Sequence, residues 1–131
     1  MVTFDTSALV RFFTNDIPVK ASQVKRILES KEKITIPDIV FPELEYVLLS
    51  KSYNATRKKI LEAFEVLITR RNVSVSSSVR KAVEIYRRTN LDMADCLIVA
   101  HSLGNRLLSF DKKLLTITGV KGYKIKNQPK A

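Results

Sequence analysis

The chain has 131 residues, 45% hydrophobic and 27% charged, a length and balance that suit one domain with its own core. Lys and Arg number 23 against 13 Asp and Glu, and the resulting formal charge of +10 favours a polyanionic partner such as nucleic acid. A lone cysteine, Cys96, excludes an intrachain disulfide, and no apolar run approaches the ~18 residues of a membrane span, so a cytoplasmic protein with no membrane partner is expected.

Val2 to Phe4 reads as a short buried strand, and Asp5 follows it directly. Ser7 to Phe13 has a helical stripe of Leu9, Phe12 and Phe13. Val19 to Ser30 is a second helix, with Pro18 in its first turn and Asp16 as the expected cap. Ile34 to Ile36 is a strand stopped by Pro37. Asp38 to Leu49 is helical, with a break or a fresh helix start expected at Pro42. Asn54 to Arg70 is a strong amphipathic helix, and Val73 to Val75 a strand. Helices follow over Ser78 to Arg88 and Asp92 to Leu103, the latter ended by Gly104-Asn105. Leu107 to Phe110 is a strand, Lys112 to Ile117 a short helix, and Tyr123 to Ile125 a weak last strand. Lys121, Lys124, Lys126 and Lys130 are the nearest thing to a basic tail. Alternation of strand and helix predicts a mostly parallel sheet of four or five strands between helical layers, a three-layer α/β/α fold. Sites in such sheets lie outside the carboxyl ends of the strands.

That rule gives Asp5 a place to point. Asp111 ends the strand before it in the same way, while Glu43 and Asp95 sit inside apolar stretches. Each has a plainer explanation. Asp5 and Asp111 can cap the helices that follow them, and Glu43 can serve as a first-turn acid. Asp95, before Leu97, Ile98 and Val99, is harder to explain that way. Four carboxylates converging at strand ends would repel unless cations lay between them. Oxygen ligands without a His or Cys cluster point to Mg²⁺ or Mn²⁺ rather than zinc.

The ordered set FDTSAL, PELEYVL, MADCLIVA and LLSFDKKL resembles the PIN domain of the VapC-like ribonuclease family. The resemblance covers nearly the whole chain and implies one PIN-like domain over residues 1–131. It implies a metal-dependent endoribonuclease whose acids fall on Asp5, Glu43, Asp95 and Asp111 as metal ligands and catalytic groups. Ser7 matches the hydroxyl residue of the opening motif and Ser109 stands where relatives often carry threonine; both, with Arg11 and Lys112, are expected to contact the substrate. Family members commonly form homodimers, and the toxin members pair with a small antitoxin.

Removing those four acids from the 13 leaves nine facing 23 bases, an acidic hole in a basic surface suited to RNA. Candidate backbone contacts are Arg11, Arg57, Lys58, Lys112 and Lys113. Asp92 is either a fifth acid of the site or the cap of the Asp95 helix. Glu45, two residues from Glu43, should point elsewhere, and His101 and Cys96 read as structural. A phosphatase of the haloacid dehalogenase type would need an aspartate where Ser7 stands. A housekeeping RNA-processing nuclease and a non-catalytic nucleic-acid-binding module remain as alternatives.

Overall fold

The computed structural model describes residues 1–126; Lys130 lies outside them. In chain order the elements are β1 (Val2–Thr3), α1 (Thr6–Thr14), α2 (Pro18–Leu28), β2 (Ile34–Thr35), α3 (Val40–Leu49), α4 (Arg57–Thr69), β3 (Val73–Ser74), α5 (Ser77–Arg88), α6 (Met93–Ser102) and α7 (Lys112–Leu115).

The sheet is parallel, in the order β1-β2-β3, with Val2 opposite Ile34 and Ile34 opposite Val73. Its ladder reaches one residue past β1 and β2, because the Phe4 amide donates to the Thr35 carbonyl at 3.0 Å and Ile36 to Ser74 at 3.3 Å. Parallel pairing requires crossovers, and two helices fill each one.

The expected sheet of four or five strands is therefore three strands wide among the described residues. Leu107 pairs with Gly122 only as an isolated parallel bridge, its amide donating to Lys121 at 2.7 Å. The reason is burial. Leu108 is 53% and Phe110 88% exposed, so no covered face holds residues 107–110 in a longer strand.

Of the two expectations for Pro42, the fresh helix start holds, since α3 begins at Val40. Pro42 stands in the first turn, where backbone N–H groups have no helical partner to lose. Asp16 does not cap α2, whose cap position falls on Ile17 with no side-chain bond. Instead Asp16 accepts from Arg11 at 2.6 Å, Thr14 at 3.0 Å and Tyr53 at 2.9 Å, which joins the end of α1 to the turn before α4. Asn72 fastens the other end of the molecule. Its side-chain amide shares two hydrogens among the carbonyls of Leu28, Ser30 and Glu32, at 3.0–3.1 Å.

The core is built on an aromatic spine. Phe41 of α3, Phe64 of α4 and Tyr86 of α5 follow one another with ring centroids 5.4 Å apart at both steps. All three are fully buried, each contributing on the order of 2–3 kcal/mol by burial. Around them α5 packs on α4 and α6, and α3 packs on α1, α4 and α6. Among the described residues no helix is long and apolar enough to cross a membrane.

Candidate active site

Asp5 follows β1 in extended backbone and caps α1. Its Oδ1 accepts the Ala8 amide at 3.1 Å and the Ser7 hydroxyl at 2.7 Å. The Ser7 hydroxyl first, then the Ala8 N–H, hold its carboxyl below the ordinary value of 3.8. Thr6, the next residue, donates its hydroxyl to Glu43 Oε1 at 2.6 Å. The end of β1 and the first turn of α3 thus meet through one short, charge-assisted bond.

A second group of acids gathers at the start of α6. Asp92 is its cap and accepts the Asp95 amide at 2.9 Å. Asp111 caps α7, accepting from the Lys113 amide at 3.0 Å, and Ser109 accepts the Asp111 amide at 3.0 Å. Asp95 differs from all of these. Its side chain is half-buried, and among the described residues no hydrogen-bond donor reaches its carboxylate. Burial first, then the charges of Asp92 and Asp111, push its carboxyl above 3.8, against a smaller opposing effect of Lys113.

The capping explanation holds for both Asp5 and Asp111. Each spends only Oδ1 on that task. Lys112 is exposed on α7 beside Asp111. Arg11 lies toward the other end of α1 from Asp5, ion-paired with Asp16 at 2.6 Å. Arg57 is not a free surface cation. Its Nη2 donates to the carbonyls of Tyr86, Thr89 and Leu91 at 2.7–3.0 Å, and its guanidinium lies 3.6 Å from the Tyr86 ring centroid.

Donor chemistry and geometry give different answers on a metal ion. Carboxylate oxygens suit a hard divalent cation, and the crowding of Asp95 by two like charges is what such a cation would relieve. Among the described residues, however, no group of three or more His, Cys, Asp and Glu side chains is arranged to hold one. The acids fall into two sets, Asp5 with Glu43 through Thr6, and Asp95 with Asp92 and Asp111.

One acid with a clear structural part was assigned none from sequence. Glu45 is buried and accepts the Met93 amide at 3.0 Å. Its signal was its position. Phe41, Leu44, Glu45 and Leu48 form the i, i+3, i+4, i+7 stripe of α3, and all four are buried. Cys96 is a fully buried core residue, its thiol pushed up to about 12 chiefly by burial.

The family model for the PIN domain matches residues 2–119, a span that includes all three strands and all four acids first singled out. Comparison with curated proteins and with solved structures gives no match. PIN domains are a nuclease fold family whose members typically depend on divalent metals. With its parallel α/β sheet and a match along most of its length, this chain belongs to the PIN domain family.

Proposed function

We propose that this protein is a Mg²⁺- or Mn²⁺-dependent endoribonuclease, working as a homodimer and serving as the toxin of a type II toxin–antitoxin pair. One observation carries the nuclease reading: the Asp95 carboxylate, half-buried, without a donor and pressed by Asp92 and Asp111. Such an arrangement is unfavourable for folding alone and favourable for holding a cation.

Asp5, Asp95 and Asp111 would hold the ion, with Glu43 completing the set. A bound divalent ion supplies charge neutralisation at the scissile phosphate and a more acidic water. The chain's residues do the rest. Thr6 fixes the direction of Glu43, which orients the attacking water and takes its proton. Ser7 holds Asp5 in place. Ser109 holds the turn that presents Asp111. Lys112, with Arg11 once it leaves Asp16, attracts the phosphate backbone. Water's oxygen bonds to phosphorus, the bond to the 3′ oxygen breaks, that oxygen takes a proton from solvent, and the products are a 5′-phosphate and a 3′-hydroxyl.

The test is cleavage of structured and single-stranded RNA in Mn²⁺, in EDTA, and with D95N. Cleavage in Mn²⁺ alone, lost in D95N, supports the nuclease. Growth arrest on expression, relieved by the product of an adjacent gene, supports the toxin role over a housekeeping one. The lack of a three-acid ligand group among the described residues favours a second reading, a nucleic-acid-binding module that does not cut. RNA binding without cleavage in either metal, unchanged in D95N, would decide for it.

A further inference from the structure

Glu45 is 6% exposed and occupies a core position of α3 between Phe41, Leu44 and Leu48. A carboxylate in such surroundings is costly unless partnered. Among the described residues its hydrogen-bond partner is a single backbone group, the amide of Met93. Beside it lies the buried Tyr86 hydroxyl, whose pKa is raised first by burial and then by the facing Glu45 carboxylate. Glu45 thus has two polar neighbours, Tyr86 and the Met93 amide, and the value of the bond to Met93 depends on what Met93 begins.

Met93 is the first residue of α6, and its amide is one of the donors a helix start leaves unpaired. Asp92 satisfies the amide of Asp95 from within its own segment. Glu45 satisfies Met93 from another helix altogether. The start of α6 is held from behind as well. Arg57 grips the carbonyls of Tyr86, Thr89 and Leu91, and Cys96 leans on the Leu91 carbonyl at 3.8 Å. Residues two apart on a helix point to nearly opposite sides. One turn of α3 thus sends Glu43 outward to Thr6 and Glu45 inward to α6.

We propose that Glu45 is a positioning residue, which fixes the first turn of α6 to α3 and so sets Asp95 relative to Glu43. It touches neither substrate nor reacting atoms. The inference rests on the reading of Glu43 and Asp95 as site acids, and the test separates the two. E45Q keeps an acceptor oxygen of the same shape, whereas E45M keeps the bulk and removes the acceptor. Wild type and both variants are compared by calorimetric Mn²⁺ binding, RNA cleavage kinetics and amide hydrogen exchange at Met93 and Asp95.

E45M should weaken Mn²⁺ binding and lower kcat by about tenfold or more, with KM for RNA nearly unchanged and faster exchange at Met93. E45Q should stay within about threefold of wild type in each. Wild-type Mn²⁺ affinity in a folded E45M overturns the proposal, as does an E45Q equal to E45M in its loss. Should E45M fail to fold, E45D replaces it, since its shorter side chain keeps the carboxylate but withdraws the acceptor; wild-type behaviour of E45D overturns the proposal. A wild type that neither binds Mn²⁺ nor cuts RNA sinks the nuclease reading and this role with it. A wild type that does both, with E45M indistinguishable, sinks the positioning role alone.

Discussion

Thr6 and Glu43, 37 residues apart in the chain, are joined by a 2.6 Å hydrogen bond that ties the end of β1 to α3. A bond to a carboxylate this short holds its plane as well as its position. T6V keeps the shape and removes the donor. RNA cleavage should fall about tenfold, while the urea midpoint shifts by no more than ~1 kcal/mol of stability, since the contact is exposed. An unchanged rate would remove Thr6 from the site.

The Asp95 carboxyl is pushed up by burial and then by the charges of Asp92 and Asp111. D95N should lose nearly all cleavage. Without divalent metal it should melt higher than wild type, by on the order of 0.5–1 kcal/mol, because a crowded charge has gone. Mn²⁺ at about a hundredfold excess over its Kd should stabilise wild type by ~2.7 kcal/mol and D95N far less. Differential scanning calorimetry with and without Mn²⁺ reads both effects.

The two shifted site acids give opposite pH signatures. Asp95 is raised, by burial and then by Asp92 and Asp111, so its ionised form opposes folding. That penalty is full above the raised value and fades as pH falls through it toward the ordinary 3.8. Asp5 is lowered, by Ser7 and then Ala8, so its contribution is present above 3.8 and lost as pH falls through the depressed value. In metal-free melts, the advantage of D95N over wild type should shrink on acidification before any deficit of D5N does. The reverse order would contradict the arrangement of these carboxylates.

Arg57 should matter for stability rather than for RNA. Three carbonyl bonds and the face of Tyr86 depend on its guanidinium. R57A should cost about 2–4 kcal/mol in urea unfolding, and R57K should recover only part, since an ammonium lacks the planar fork. If R57A instead weakened RNA binding at wild-type stability, Arg57 would be returned to the surface.

Much of this was legible in the chain. The parallel sheet and most helix bounds follow from apolar periodicity, while the four first-named acids rest on the family resemblance and stay a proposal. Three features escaped because distant residues decided them. Asp16 has a cap's sequence position, but Arg11 and Tyr53 draw it away. Residues 107–110 have a strand's composition, yet nothing covers Leu108 and Phe110. Arg57 has a surface residue's spacing, and only the fold brings the carbonyls ending α5 to it. Pro42 was legible as a helix start, for α3 begins at Val40 and carries it as a tolerated first-turn proline.

Asp5, Asp92 and Asp111 each lend one oxygen to launching a helix. Asparagine launches helices as well as aspartate does, whereas alanine does not. If Asp5 and Asp111 hold the metal as proposed, a single amide exchange at either would disarm the protein and leave its architecture standing. Descendants that lost the chemistry by that route would survive as intact basic scaffolds, free to keep gripping nucleic acid without harming it.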